Sequence, residues 1–153
     1  MQLDTRLARL LHVLIHMHLR GGSTTSETIA QMLHTNPALV RRTMASLREA
    51  RYVESGRGPG GGWTLVCDLS EVTVKDIYVA LAYKGIFTWG PAEDNPQCPV
   101  ESVVNEYLKK ALGSAENALL TIIGNTKLSE LVQKIVVPGT NSPSLPASEK
   151  QAK

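Results

Sequence analysis

The sequence predicts a mainly α-helical chain carrying one small β-hairpin, and three observations lead there. Apolar residues recur at three-and-four spacing along most of its length, the period of a helix with one buried face. Aliphatic side chains dominate a hydrophobic fraction of 42% while aromatics reach only 5%, a balance that suits packed helices better than aromatic-rich strands. A single long glycine-rich stretch, Gly56-Arg57-Gly58-Pro59-Gly60-Gly61-Gly62, is flanked by two short β-prone runs. At 153 residues the chain can build one hydrophobic core with added elements, but it is short for two independent domains.

The first predicted helix spans Thr5 to Leu19, with Leu7, Leu10, Leu11, Leu14, Ile15 and His18 on one stripe and Gly21-Gly22 ending it. His12 and His16 fall on its polar face. They are four apart, as two metal ligands could be, but no carboxylate or thiol lies near them in sequence, which makes them a solvated or partly packed surface. Ser23-Thr24-Thr25-Ser26 supplies caps for a short helix over Glu27 to Leu33, whose Ile29, Ala30 and Leu33 face inward. His34-Thr35-Asn36 makes a turn. Pro37 suits the first position of the next helix, where its missing N–H has no partner to lose, and Thr35 or Asn36 serves as cap. That helix runs to about Ala50, turning Leu39, Val40, Met44 and Leu47 inward and leaving Asn36, Ala38, Arg41, Arg42, Thr43 and Ser46 outside.

Tyr52 to Ser55 and Trp63 to Val66 read as strands joined by the glycine-rich loop. Helix, helix, turn, longer helix and β-hairpin, in that order over residues 1 to 66, make a winged helix-turn-helix. A helix over Val72 to Tyr83 extends this unit to residue 84, and residues 85–98, holding Gly, Pro, Asp and Asn, form a loop. From Pro99 an apolar stripe runs through Val100, Val103, Val104, Tyr107, Leu108 and on to Ile122 and Ile123. A helix that long carries more apolar face than so small a protein can cover, so it is expected to pack against its twin. A last helix over Leu128 to Val136 completes a dimerisation unit at 99–136, and residues 137–153, rich in Pro, Ser, Ala and Lys, are expected to be a disordered tail.

The net charge of +2 hides an asymmetry. Up to Val66 there are eight Arg against four acids, and from Cys67 onward eight Lys against ten acids. The arginine fork matches phosphate oxygens and guanine edges, so the first half is where an anionic polymer would bind. In a helix-turn-helix the second helix lies in the major groove, and Asn36, Ala38, Arg41 and Arg42 occupy its N-terminal end with Ser46 further along the same face. Arg41 or Arg42 can bond guanine bidentately, Asn36 can pair with adenine or a phosphate, and Ala38 can touch a thymine methyl. Arg57 stands in the loop, where Gly58 and Gly60 let the backbone approach phosphates while the guanidinium enters a minor groove. A nucleotide-binding loop is the competing reading of those glycines. It lacks the Lys-Ser or Lys-Thr that should follow, and it leads into a strand instead of a helix.

Ser26 to Leu33, Asn36-Pro37 with Val40-Arg41-Arg42, Leu47, Val53-Glu54-Ser55, the Arg57-to-Gly62 wing and Val74 to Ile77 together resemble the Rrf2 family of bacterial winged-helix regulators, over roughly residues 1 to 135. The resemblance implies a homodimeric repressor or activator, with repressor taken as the expectation, bound to double-stranded DNA at an inverted repeat. Its long helix would cross between protomers. Many members hold an iron–sulfur cluster through three cysteines just before that helix, whereas this chain has Cys98 alone there, so no cofactor is expected. Arg51 stands where the family usually has glycine, which predicts a slightly altered entry into the wing.

Cys98 is a candidate redox sensor at the start of a predicted helix, where the dipole favours an anion; an inert thiol is the plainer reading. A small molecule or a protein is the other candidate effector, near residues 85–97 with their Phe87 and Trp89. No nucleophile and acid-base pair converge in the sequence, which argues against an enzyme. Two cysteines, no signal-peptide pattern and no apolar run of ~20 residues predict a cytoplasmic protein without membrane contact. A winged helix that binds protein through the same surface, without specific DNA binding, is the alternative.

Overall fold

The structure, a computed structural model, describes residues 4–83 and 85–135. Helices α1 (Arg6–Arg20), α2 (Ser26–Met32) and α3 (Pro37–Glu49) precede strands β2 (Val53–Ser55) and β3 (Trp63–Leu65), with a two-residue strand β1 (Ser23–Thr24) between α1 and α2. Helices α4 (Val74–Ala80), α5 (Pro99–Gly124) and α6 (Leu128–Gln133) follow. The fold is a winged helix-turn-helix with a long appended helix. The expected final helix ends at Gln133, short of Val136, because Lys134 already takes the C-cap position, and Val136 itself and the expected tail at 137–153 fall outside the described residues.

The hairpin is part of a three-stranded antiparallel sheet in the order β1-β3-β2. Ser23 pairs with Thr64 and Thr24 with Trp63, while Val53, Glu54 and Ser55 pair with Leu65, Thr64 and Trp63. The sequence reading treated Ser23 and Thr24 only as capping residues. Their pairing with β3 covers the edge of that strand opposite β2.

One core holds these elements together. Leu10, Val13, Leu14 and Met17 of α1, Ile29 and Ala30 of α2, Val40, Met44 and Leu47 of α3, and Val53 and Trp63 of the sheet are all buried. The buried face of α1 differs in phase from the expected one: Val13 and Met17 lie inside, whereas His18 is exposed and Leu7, Leu11 and Ile15 are half-buried. Leu39 of α3 is likewise half-buried instead of internal.

The segment from Leu69 to Ile77 joins both halves. Leu69, Val72, Val74 and Ile77 complete the core, and a capping box in which Thr73 and Asp76 satisfy one another's backbone N–H groups starts α4 at Val74, two residues later than expected. The same segment grips the turn between α5 and α6. The N–H of Val74 donates to the Thr126 carbonyl at 3.0 Å, that of Leu128 to the Val72 carbonyl at 2.9 Å, and that of Ser129 to the Leu69 carbonyl at 3.0 Å, while the Leu128 side chain is fully buried. At the other end of α5, Asn105 bonds both backbone groups of Ala92, at 3.0 and 2.7 Å, and Glu101 accepts the Asn95 N–H at 2.8 Å, stitching the preceding loop to the helix. No residue of α5 is fully buried.

Candidate nucleic-acid interface

The exposed face of α3 is built by the turn before it. Thr25 caps α2 by accepting the Thr28 N–H at 3.1 Å. The helix then stops in a Schellman arrangement, with the Thr35 N–H on the Ala30 carbonyl, the His34 N–H on that of Gln31, and His34 at φ +49°. Asn36 next caps α3, its Oδ1 accepting the Leu39 N–H at 2.8 Å, and Pro37 occupies the first turn. Asn36, Ala38, Arg41 and Arg42 are therefore all exposed at the start of α3, while Thr43 and Ser46 are half-buried. Capping engages one of the two lone pairs of Asn36 Oδ1 and fixes the side chain, and it leaves the amide N–H groups free.

Arg41 reaches back to Glu27 at 3.2 Å. With the two side chains 59% and 61% exposed, this ion pair is weak and readily exchanged. Among the described residues, Arg42, Arg48 and Arg57 make no ion pair.

A cleft of about 370 Å³ separates α3 from the wing; Arg41, Ala45 and Arg48 line its helical wall, and Ser55, Gly56, Gly58 and Gly61 the other. The sequence reading did not single out Arg48. Its signal was the spacing: seven residues from Arg41, it lies two turns along the same face.

The wing loop folds back on itself. The Gly56 N–H donates to the Gly62 carbonyl at 2.8 Å and the Gly61 N–H to that of Gly58 at 2.9 Å, with Gly58 and Gly60 at φ +85° and +80°. A side chain at 61 would press its Cβ to 2.7 Å from the Gly56 carbonyl oxygen, so glycine is required there by contact as well as by backbone angle at its neighbours. Arg57 projects from this folded loop as an exposed side chain. Beneath it, the buried Trp63 donates its indole N–H to Ser26 Oγ at 3.0 Å, tying the hairpin to the first turn of α2.

The expected disturbance at Arg51 is not what the structure shows. Arg51 takes the left-handed conformation itself, φ +63°, with its N–H on the Arg48 carbonyl and the Tyr52 N–H on that of Leu47. The wing entry keeps the geometry glycine would give, at the cost of strain in one exposed residue.

A family model described as an iron-dependent transcriptional regulator, Rrf2, matches residues 3–134. The chain belongs to the Rrf2 family. Like other Rrf2 proteins it is a DNA-binding transcriptional regulator in class, and the related proteins are regulators as well, not enzymes. It is similar to the candidate helix-turn-helix regulator YwnA of Bacillus subtilis, 26% identical over 133 residues that cover 87% of this chain and 98% of YwnA. Its fold matches a candidate transcriptional regulator from Lactobacillus plantarum with a TM-score of 0.72 at 20% identity, over 84% of this chain and 88% of that one. It also matches CymR, the global cysteine regulator of B. subtilis, with a TM-score of 0.56 at 21% identity, over 89% and 99%. No helix among the described residues is long and apolar enough to cross a membrane.

Iron is part of the family's description, and this chain's residues do not fit it. Iron centres are held by several thiolate, imidazole or carboxylate ligands converging on one point. Cys67 packs against the core and burial raises its thiol pKa, whereas Cys98 stands far along the chain as the half-buried N-cap of α5. The four histidines lie on α1 and in the turn before α3, and no group of three or more His, Cys, Asp or Glu converges among the described residues. His12 and His16 do sit together, ring centroids 4.7 Å apart, with no third ligand beside them.

Proposed function

We propose that the protein is a homodimeric transcriptional repressor of the bacterial cytoplasm that reads an inverted repeat in double-stranded DNA. Each protomer lays the start of α3 in a major groove and the tip of its wing in the adjacent minor groove. The observation that carries this reading is the cleft between α3 and the wing, with Arg41 and Arg48 on its helical wall, while Arg42 next to Arg41 and Arg57 in the wing loop are exposed. Arg41 exchanges Glu27 for a guanine edge at small cost, with Arg42 beside it and Ala38 against a thymine methyl. Asn36, held by its capping bond, offers its amide N–H to a phosphate, as Ser46 offers its hydroxyl and Arg48 its guanidinium. Gly58 and Gly60 bring the wing backbone close while Arg57 enters the minor groove.

The dimer is supported by α5. Val100, Val103, Tyr107 and Ile122 are 71%, 69%, 71% and 64% exposed, an apolar row that a second copy would cover. Two protomers related by a two-fold axis meet identical half-sites in opposite orientation, hence the inverted repeat.

Sequencing of DNA selected from a random pool by the purified full chain tests the reading. The selected DNA should carry an inverted repeat, and Arg41→Ala and Arg57→Ala should each weaken its binding by about tenfold to a hundredfold, leaving the dimer intact. Unchanged affinity in both variants would refute the docking, and affinity indifferent to salt would favour the protein-binding alternative. Transcription in vitro from a promoter carrying the repeat should fall when the protein is added; a rise would make it an activator. If Cys98 senses oxidants, Cys98→Ser should abolish any effect of peroxide on DNA affinity.

A further inference from the structure

The chain has two Trp, four Tyr and one Phe, and four of these seven, Tyr78, Tyr83, Phe87 and Trp89, line a single cavity of about 800 Å³. The cavity opens among the start of α1, the C-terminal end of α4, the loop after it, and the last turns of α5, which contribute Leu119 and Ile123. Tyr78 and Tyr83 are stacked, centroids 4.9 Å apart and planes 18° apart, while Phe87 and Trp89 form a tilted pair at 5.9 Å and stay exposed. Tyr83 is fixed in place because its hydroxyl oxygen accepts the Leu7 N–H at 3.1 Å. Exposed rings in an aromatic-poor chain, gathered on one concavity, are what a small flat ligand recognises.

One charged group makes the site selective. The Arg6 guanidinium lies 4.7 Å over the Tyr83 ring and pairs with Asp4 at 2.6 Å in a salt bridge open to water on both sides. We infer that the cavity binds a planar aromatic carboxylate, its ring against the aromatic walls and its carboxylate replacing Asp4 on Arg6. Exchanging one carboxylate for another keeps the guanidinium paired and seated on Tyr83. An aromatic amine would instead have to draw Asp4 away from Arg6, which leaves the cation over the ring without its anion.

The site borders the proposed dimer seam without coinciding with it. At 100° per residue, Leu119 and Ile123 project about 60° and about 100° around α5 from the line through Val104 and Ile122. A partner on the exposed row thus passes beside the cavity. Because the lining comes from α1 and α4 as well as α5, an occupied cavity favours one placement of the winged unit relative to the long helix, and operator affinity shifts with it. This last consequence rests on the proposed function; the binding does not.

Calorimetry on the full chain with 2-naphthoate, and with its neutral amide as comparison, tests the inference. The acid should bind and the amide bind about tenfold or more weakly. Arg6→Gln should erase that preference, and Phe87→Ala combined with Trp89→Ala should weaken both compounds. A dimer that binds its selected DNA but takes up neither compound, as it would if its partner's helix filled the cavity, overturns the site. Equal binding of acid and amide, or tighter binding of 2-naphthylmethylamine, overturns the carboxylate assignment. Operator affinity unchanged by saturating 2-naphthoate overturns the coupling alone, and failure to bind any DNA bears on the proposed function instead.

Discussion

Replacing Arg51 by glycine should stabilise this protein although it removes a large side chain. The residue is exposed, so little packing is lost, and its φ of +63° forces Cβ toward the following carbonyl. That crowding costs an L-residue about 1–2 kcal/mol. Glycine relieves it but loses more freedom on folding, an offset of about 0.4–1 kcal/mol. The net gain is about 0.5–1 kcal/mol, which for a folded unit of this size raises the melting temperature by about 2–4 °C. Both backbone bonds of the motif, from Arg51 to Arg48 at 3.0 Å and from Tyr52 to Leu47 at 2.9 Å, remain available to the variant. Thermal unfolding followed by circular dichroism, at one protein concentration throughout because the proposed dimer would add to apparent stability, measures the shift. Arg51→Ala is the control that separates charge from backbone: it keeps Cβ and should leave the melting temperature near that of the parent. An unchanged or lowered melting temperature for Arg51→Gly would refute the claim that this position is strained.

Ser26→Ala should cost about 1–3 kcal/mol in urea unfolding, because it strips the buried Trp63 N–H of its acceptor; no loss would mean that the indole finds another partner. Gly62→Ala should destabilise by about 1–3 kcal/mol, since the added Cβ would stand 2.7 Å from both Ser23 Oγ and the Thr24 carbonyl oxygen and β1 would have to move; an unchanged urea midpoint would show the sheet edge to be compliant. His12 titrates below its ordinary value of 6.5, through burial first and the neighbouring His16 second. The unfolded chain therefore takes up the proton first as pH falls, so stability should decline as pH drops below about 6.5, and His12→Gln should flatten that decline between about pH 7.5 and about pH 5.5. Equal acid sensitivity in the variant would exclude His12 as a source.

The elements most legible in the sequence are those whose signals are local. Pro37 after Asn36 marked the start of α3, and the glycines between Ser55 and Trp63 marked the wing, because cap and turn chemistry act within a few residues. What depends on distant partners was harder to read. In α1, Leu, Val, Ile and Met fill so much of the circumference that periodicity alone does not choose between a face centred on Leu11 and one centred on Leu10 and Met17; packing against β3 and α4 decides. Strand β1 has no pattern of its own in two residues and exists through its pairing with β3. For the proposed interface, type and spacing singled out Asn36, Ala38, Arg41, Arg42 and Arg57, all of which the fold leaves exposed. The capping bond of Asn36, the Arg41–Glu27 pair and the place of Arg48 on the cleft wall are matters of geometry. Arg51 teaches the converse: an unfavourable residue type did not change the backbone, because two hydrogen bonds and the packing of Leu47 and Tyr52 over-determine it.

The grip of the Leu69-to-Val74 segment on the turn after α5 makes that helix a lever. Its 26 residues span about 39 Å, held at the C-terminal end by Val72, Val74 and Leu128 and bearing its most exposed apolar side chains toward the other end. A tilt of about 10° at the fulcrum carries the far end through about 7 Å, on the order of one helical turn of a neighbouring helix. Displacements too small to disturb the core beside the pivot are thereby magnified where a second protomer would be met, and the fold converts fine adjustments of side-chain packing into coarse changes of span.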